Sequence, residues 1–301
     1  MIFKFIFIIL KIRIKKVFMP LSSLVGKSDL NFFDSIEKVR LLQAPSFWKT
    51  LYINYRCLDK QTAKQIPIFV YPNVSLVSTK GCISVKNPNI GIIKLGLDWG
   101  YRSKGETRFR FDGDIVFNGK ARFMKGCNVC VFKGAKIIFG DDDLISENSL
   151  IYCKEKIEFG DHLRLTYECN VADSDFHYTI DLRTKRIKRM SAPIEIGNNV
   201  WIGNRTNIKK GTKIPDYVVI ASSASLLTKD YTDSVSKFDC LGGIPAKPFH
   251  VSISRTWKNE HEQISRLDNW FNCNPNEKYY ILSEKELIED YIGTEYNYES
   301  E

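Results

Sequence analysis

The stretch IGNNVWIGNRTNIKKGTKIPDYVVIASSASLLTKD, residues 196–230, repeats a pattern every six residues, and this repeat decides the fold. An aliphatic residue opens each hexad, and these residues are Ile196, Ile202, Ile208, Ile214, Ile220 and Leu226. A helical face would repeat about every 3.6 residues and an alternating strand about every 2. A six-residue repeat instead predicts a parallel β-helix, in which each short strand points one aliphatic residue inward and then turns a corner. Three hexads would complete one triangular coil.

The same repeat extends upstream in a less regular form. Its positions are Phe117, Phe123, Val129, Phe139, Ile145, Ile151 and Ile157, followed after a slip of two residues by Phe159, Leu165 and Val171. Slips of this size indicate coils slightly longer than three hexads. We therefore predict an all-β solenoid over residues 80–250, in which each coil is stabilised mainly by its neighbours. An antiparallel sandwich of short strands is the alternative.

Both ends of the predicted solenoid need a cover, because the terminal coils of a repeat protein otherwise expose unpaired strands. Residues 19–79 are predicted as an N-terminal lid, with a helix around Phe32–Leu42 and the aromatic run SFWKTLYINYR. After Pro248 the hexads stop, and SRTWKNEHEQISRLDNWF and LSEKELIEDYI are helical in character. Residues 251–301 are therefore predicted as a helical C-terminal cap. The 301 residues, 44% of them hydrophobic, suffice for a sizeable core.

The first residues, 1–18, are basic and apolar and contain no acid. Lys11, Arg13, Lys15 and Lys16 interrupt the apolar run well before the roughly 20 residues that a membrane-spanning helix needs. The apolar centre is too short for a secretory signal, and no cleavage site of small residues is clear. This segment could lie on an anionic membrane surface. Alternatively, Met19 is the true start.

The cysteines do not form a metal-binding pattern. Cys127 and Cys130 stand in the sequence CNVC, but no second pair and no His follow at zinc-site spacing. The histidines, His162, His177, His250 and His261, show no ligand-like spacing either. We predict no metal, and we interpret the eight Cys as mostly buried small apolar residues, which favours a reducing compartment.

The clearest departure from the hexads is the run from Ala172 to Pro193, after which the repeat restarts at Ile194. An insertion between coils must leave the prism as a loop, and such loops carry function in repeat proteins. His177 lies at its root, preceded by Asp173 and Asp175. The alternatives are that His177 is an inert surface residue and that the two Asp side chains only cap the turn.

At these positions the chain resembles the left-handed β-helix, or hexapeptide-repeat, acyltransferases, and especially their sugar and polysaccharide O-acetyltransferases. The matching segments are DSDFH at 173–177, IEIGNNVWIGN at 194–204, TKD at 228–230 and GIPAK at 243–247. The resemblance implies a left-handed β-helix, a homotrimer, and acetyl-CoA in a groove between neighbouring prisms. It assigns the catalytic base to His177. From their place just before it, Asp173 or Asp175 is our candidate for the residue that orients its ring.

The resemblance also implies the residues that bind the ligands. Those for acetyl-CoA are Asn204, Ser222, Thr228, Lys229, Lys247 and His250. Trp201 matches a Trp that lines the acyl-transfer pocket; alternatively, it fills the groove between subunits. The run IASSAS carries one residue more than the common family pattern, which leaves Ala221 and Ser223 as alternatives to Ser222.

The net charge of +9 is concentrated in the N-terminal segment and in the loop that follows His177. Arg183 and Arg186 within loop 178–193 are candidate substrate-binding residues, since a positive loop would attract phosphates or an anionic acceptor. A solvated charged hairpin is the alternative. Nucleic acid binding is not predicted, because no recognised binding fold or aromatic stacking platform accompanies the charges.

An imidazole titrates near pH 6.5 when unperturbed, so a His can take a proton from a sugar hydroxyl at neutral pH. We therefore predict an enzyme that moves an acetyl group from acetyl-CoA to a sugar hydroxyl of a capsular polysaccharide, exopolysaccharide or lipopolysaccharide precursor. The acceptor could be lipid-linked, and the location would be cytoplasmic, at the inner face of the membrane. The alternatives are an N-acyltransferase for an amino sugar, on its own or in a nucleotide sugar, and a non-catalytic β-helix scaffold.

Overall fold

The computed structural model describes residues 3–7, 9–10, 43–98, 105–223 and 226–295. Within these ranges the strands form three long sheets, in which hydrogen-bonded neighbours are three strands apart in the sequence along almost the whole length. Each coil of the chain therefore gives one strand to each sheet in turn, and the pairing is parallel. This arrangement is a three-sided prism, and it confirms the predicted left-handed parallel β-helix.

The strands of each sheet follow in chain order. The first sheet contains β1 (Ile68–Val70), β4 (Ile93–Leu97), β7 (Ala121–Met124), β10 (Asp143–Ile145), β13 (Arg164–Leu165), β18 (Trp201–Ile202), β21 (Val219–Ile220), β23 (Cys240–Gly242) and β24 (Lys247–Phe249). The second sheet contains β2 (Val74–Ser78), β5 (Thr107–Phe111), β8 (Asn128–Val131), β11 (Leu150–Cys153), β14 (Asn170–Ala172), β19 (Asn207–Lys209) and β22 (Leu226–Leu227). The third sheet contains β3 (Ile83–Val85), β6 (Asp114–Phe117), β9 (Lys136–Phe139), β12 (Lys156–Phe159), β17 (Ile194–Ile196) and β20 (Lys213–Ile214).

The predicted inward positions line the core of the prism. Ile196 pairs with Ile214, three hexads further along, whereas Ile145 pairs with Leu165, two residues beyond three hexads. Upstream coils are therefore longer, as the slips in the repeat indicated. Stacked aromatic rings continue the core there, with the ring of Phe139 5.2 Å from that of Phe117 and 5.5 Å from that of Phe159.

One predicted inward residue is wrong. Leu226 pairs with the outward Asn207, and it is Leu227 that pairs with Ile208 and is fully buried. Leu227 follows Ile220 by seven residues instead of six, so the frame shifts by one position. A shift of one residue in a strand exchanges its inner and outer faces.

The N-terminal end of the prism is closed by helix α1 (Phe47–Cys57), which is followed by the short helix α2 (Lys60–Ala63). The buried Asn54 side chain donates to the Ile68 carbonyl at 2.7 Å and accepts from the Ile68 amide at 3.2 Å. The edge of β1 is thus satisfied by a side chain rather than left open. The first coil begins at Ile68 and not at residue 80. The sequence did not reveal this start because the hexad pattern is least regular in that region. The helix predicted around Phe32–Leu42 lies outside the described residues.

Part of the N-terminal segment belongs to the same cover. Residues 3–7 and 9–10 are helical, and Phe5 and Ile9 are buried in the main core. The ring of Phe5 lies 5.2 Å from that of Phe69 in β1. Among the described residues, no helix has the length and unbroken apolar character needed to span a bilayer.

The C-terminal region leaves the prism through β24, which runs antiparallel to β23 and is the last strand of the first sheet. It continues into α3 (Glu260–Cys273) and α4 (Glu289–Ile292). The Arg255 guanidinium stacks over the Trp201 ring in β18 at 5.4 Å, and that of Arg164 in β13 over the Trp257 ring at 5.6 Å. This region therefore lies along the outer side of the first sheet instead of only covering its end.

Candidate active site

The insertion after β14 forms a loop at the corner between the second and third sheets. On either side of it the coils remain in register, since Ile157 in β12 pairs with Ile194 in β17. The loop closes on itself through an antiparallel bridge between Ser174 and Ser191 and a short hairpin, β15 (Ile180–Asp181) and β16 (Arg186–Ile187). The excursion thus begins at Ser174, four residues before the predicted bound of 178.

Asp173 holds the root of this loop. Its side chain is buried, and its two carboxylate oxygens accept hydrogen bonds from the amides of Lys154 and Glu155, each at 2.7 Å. Burial raises the pKa of this carboxyl, against the opposing effect of the amides. Through these amides and a side-chain hydrogen bond with Cys153, Asp173 contacts the preceding coil.

Asp175 ties the loop to the following coil. Its carboxylate lies 2.6 Å from the Lys210 ammonium, which also donates to the Met190 carbonyl at 3.3 Å on the returning strand of the loop. No signal in the sequence pointed to Lys210, because its contacts with the loop form only after successive coils have stacked. Neither Asp173 nor Asp175 has a hydrogen bond to His177 within the described residues; both fix the backbone that carries it.

His177 projects from this rigid root. The preceding residue, Phe176, has a φ of 58°, in the left-handed region, and its ring packs 5.5 Å from that of Phe132 and 6.3 Å from that of Tyr152. Phe176 therefore anchors the loop to the prism, while His177 is exposed. Within the described part of the chain, no hydrogen-bond or ion-pair partner engages the imidazole, so both ring nitrogens are available to a ligand.

Three of the residues predicted to bind acetyl-CoA lie at the edge between the first and second sheets. The Ser223 amide donates to the Asn204 carbonyl at 2.8 Å, which stacks the corners that contain Asn204 and Ser222. A Cβ on Gly203 would lie 2.5 Å from the Ser222 amide nitrogen, so this corner requires glycine for close stacking. Lys247 continues the same edge, because it pairs with Gly242 at the end of β23.

The remaining predicted residues lie at other edges. Thr228 follows β22 at the corner from which the His177 loop leaves, and the Lys229 ammonium sits 5.2 Å from the ring centre of Tyr231. His250 lies at the edge between the third and first sheets, where its Nδ1 is 3.0 Å from a carboxylate oxygen of the buried Asp239. One chain therefore distributes the predicted cofactor residues over three edges and does not bring them together.

The predicted substrate-binding residues are divided in the same way. Arg183 and Arg186 are exposed on the hairpin. Trp201 instead lies on the outer face of the first sheet beneath Arg255, and its indole Nε1 is buried without a hydrogen-bond partner in the described structure. Within one chain, Trp201 is thus remote in topology from the corner that carries His177.

The cysteines are all free, and five of them are buried: Cys57, Cys127, Cys153, Cys169 and Cys240. Burial raises the pKa of the Cys57 and Cys169 thiols to about 11. A thiol with so high a pKa is a poor nucleophile at neutral pH. In the described residues no group of three or more His, Cys, Asp or Glu could hold a metal ion.

Comparison with known proteins gives a short sequence match and broader likenesses of fold. No model of a known protein family matches the chain. The chloramphenicol acetyltransferase of Morganella morganii is 39% identical over 77 residues, which are 26% of this chain and 32% of that protein. The chain thus spans about a third of the length of this curated relative.

Several solved structures are similar at low identity. The polySia-specific acetyltransferase NeuO is 19% identical, with 69% of this chain and 84% of that chain covered and a TM-score of 0.49. AntD, an N-acyltransferase from Bacillus cereus, is 20% identical, with 74% and 99% covered and a TM-score of 0.35. A hexapeptide-repeat acetyltransferase from Vibrio cholerae, in complex with acetyl-CoA, is 17% identical, with 68% and 84% covered and a TM-score of 0.33.

The hexads of the sequence and the three parallel sheets of the structure define the class. This chain has the left-handed parallel β-helix fold, built on six-residue repeats.

Proposed function

We propose that this protein is an acetyltransferase that moves the acetyl group of acetyl-CoA to a sugar hydroxyl of a polysaccharide or lipopolysaccharide precursor. The observation that carries the proposal is the exposed His177, whose ring has no partner in the described chain although the loop that holds it is fixed on both sides. The motifs DSDFH and GIPAK support the same reaction through their resemblance to sugar O-acetyltransferases. The chloramphenicol acetyltransferase that matches part of the sequence supports acetyl transfer, whereas the sugar acceptor rests on the motifs.

The chemistry requires only one base. The neutral imidazole of His177 takes the proton of the sugar hydroxyl while its oxygen attacks the thioester carbonyl. The new C–O bond forms, the tetrahedral intermediate collapses and the C–S bond breaks. The imidazolium then returns the proton to the departing thiolate, which gives free CoA and the acetyl ester. Backbone N–H groups at the corners of the coils could stabilise the oxyanion.

We propose that the site is completed between copies of the chain in a homotrimer. In one prism His177 lies at one edge of the second sheet, and Asn204, Ser222 and Lys247 lie at the other. Two prisms side by side can bring these edges to face each other across a groove. Lys247 and the basic hairpin with Arg183 and Arg186 would then attract the phosphates of acetyl-CoA or an anionic acceptor.

The test is acetyl transfer from labelled acetyl-CoA to a panel of lipid-linked and free oligosaccharides by His177→Gln. We expect a loss of about 10²–10⁴-fold in turnover with an unchanged oligomer, since the general base is removed. His162→Gln is the matched control, because His162 lies in another corner of the same prism. Unchanged turnover in His177→Gln would contradict the mechanism.

The chemistry of the product and the binding of the donor distinguish the proposed function from the N-acyltransferase and the scaffold. A base-labile acetyl group on the product identifies an ester, whereas a base-stable one would identify an N-acyltransferase. Calorimetric titration with acetyl-CoA tests the scaffold alternative, since a folded oligomer that binds no CoA would be a scaffold and not an enzyme.

We also propose that the protein works at the cytoplasmic face of a membrane. In the described N-terminal helix Phe5 is buried, whereas Phe3, Phe7 and Leu10 are exposed, and Lys4 is exposed beside them. Such a pattern suits insertion at an anionic surface. Sedimentation with phosphatidylglycerol vesicles tests it, and equal recovery with neutral phosphatidylcholine vesicles would contradict the electrostatic part.

A further inference from the structure

A second groove lies at the N-terminal end of the prism, away from the His177 loop. It has a volume of about 560 Å³, within the range of small-molecule sites. One wall is formed by Trp48 and Tyr52, which lie one helical turn apart on α1 and are 77% and 52% exposed. The opposite side belongs to the start of β2 and to Glu106, just before β5. The polar residues of the lining are Lys49, Asn73, Ser75 and Glu106.

The groove is preformed by hydrogen bonds between α1 and the first coils. The Lys49 ammonium donates to the Pro72 carbonyl at 2.8 Å and to the Val74 carbonyl at 2.6 Å. The Tyr52 hydroxyl is 2.9 Å from Thr79 Oγ1, which fixes the ring against the corner after β2. Because its walls are held in place, the groove needs little reorganisation to accept a ligand.

The composition of the groove fits a sugar. The face of an aromatic ring carries the negative part of its quadrupole and attracts the weakly positive C–H groups on the apolar face of a pyranose. The Ser75 hydroxyl, the Asn73 amide and the Glu106 carboxylate supply donors and acceptors for sugar hydroxyls. Within the chain the Asn73 amide donates to Thr107 Oγ1 at 3.1 Å and the Glu106 carboxylate accepts from Arg108 at 2.8 Å, so these side chains are already held in place and sugar hydroxyls would add to their hydrogen bonds.

The groove and the catalytic loop share one sheet. The groove borders β2, and the loop of His177 follows β14, four strands further along the second sheet. With strands about 4.8 Å apart, the separation along the prism is about 19 Å. The outer face between them carries Tyr152 and two arginines, of which Arg108 pairs with Glu106 and Arg110 with Asp112.

We propose that this groove is a saccharide-binding site, and that it holds a distant part of an acceptor several sugar units long while another unit reaches the His177 loop. The proposal rests on the proposed function for the identity of the acceptor. It further specifies that acceptor as an oligosaccharide or polymer rather than a single nucleotide sugar. The binding of the saccharide by the groove can be measured without any acetyl transfer.

The probe is an array of immobilised bacterial capsular polysaccharides, exopolysaccharides and lipopolysaccharide O-chains, incubated with the full-length protein. We expect binding to at least one polymer, and a loss of about tenfold or more in Trp48→Ala, since a central Trp contact removed by truncation typically has this effect. Tyr279→Ala is the matched control, because Tyr279 is equally exposed, at 77%, in the C-terminal region. Its binding should equal that of the wild type.

Three outcomes would overturn the proposal. The first is that the folded wild type binds no polymer on the array, and the second is that Trp48→Ala binds as the wild type does. The third is that Trp48→Ala changes the oligomeric state, which would mean that this face is a contact between copies of the chain. The failure of the proposed function is distinguishable from these. His177→Gln should bind the polymers normally, and Trp48→Ala should bind acetyl-CoA normally in calorimetry, so each site is tested without the other.

Discussion

Phe176 and His177 are adjacent exposed residues with different contacts, and this contrast defines the candidate site at the scale of single side chains. The left-handed backbone at Phe176 turns its ring onto Phe132 and Tyr152 and leaves His177 exposed. Other corners of this prism use the same left-handed backbone at non-glycine residues, so the feature particular to Phe176 is the contact of its ring with the prism. The aromatic contact therefore positions the imidazole.

Phe176→Ala tests this positioning. We expect turnover to fall by about 10²-fold, because a displacement of about 1 Å of a catalytic group has an effect of that size. The thermal midpoint should change little, since Phe176 is 38% exposed. Activity and melting are measured together, and Phe176→Tyr should restore most of the turnover. A variant with full activity would show that the ring does not position His177.

At the scale of structural elements, charged side chains at the corners join successive coils. Asp142 lies between β9 and β10 and forms ion pairs with Arg122 of β7 at 3.1 Å and Arg164 of β13 at 2.7 Å. Burial acts to raise the pKa of Asp142, but hydrogen bonding with His162 and the two guanidinium charges outweigh it and lower the pKa. The carboxylate thus links three successive coils.

This link predicts a dependence of stability on pH. Because the folded pKa of Asp142 is lowered, its contribution is complete above the unfolded value of about 3.9 and is lost as the pH falls toward the folded value. Asp142→Asn should therefore reduce the difference in unfolding free energy between about pH 6 and pH 3. Urea denaturation at both values measures it, with the exposed Asp114→Asn as control. An unchanged difference in Asp142→Asn would exclude this role.

Asn54 has the corresponding role at the first coil. Asn54→Ala removes the hydrogen bonds to both backbone groups of Ile68 and leaves them buried, so we expect a loss of about 2–4 kcal/mol in unfolding free energy. In Asn54→Ala, amide hydrogen exchange should accelerate most in β1, relative to the wild type, if the cover opens locally. Gln61→Ala, an exposed change on α2, is the control. Equal protection of β1 in both variants would mean that Asn54 does not secure the edge.

The sequence predicted those elements that depend on local repetition. Hexads place one aliphatic residue inward on each strand, and the buried residues from Phe117 to Ile220 follow that pattern. The loop was found because the repeat stopped. The frame shift at Leu227, the ion pair of Asp175 with Lys210 and the stacking of Arg255 on Trp201 could not be predicted. Each depends on residues that meet only after the coils have stacked or the C-terminal region has folded back.

At the scale of the whole molecule, the separated edges predict that activity requires more than one copy of the chain. His177→Gln and Ser222→Trp should each be inactive alone. Co-refolded in equal amounts, they should regain about a quarter of the wild-type activity, because one groove in four would combine an intact His177 edge with an intact Ser222 edge. Acetyl transfer measures it. No recovery in well-formed mixed trimers would mean that one copy provides both residues.

The pairing of Ile157 with Ile194 has a further consequence. Residues far apart in the chain occupy adjacent layers, so the nineteen residues from Ser174 to Ala192 add length to the polypeptide without adding height to the prism. Hairpins of other lengths and chemistries could be transplanted at this corner while the scaffold keeps its register. Acceptor preference could thus diversify, in nature or by engineering, independently of the forces that stabilise the fold.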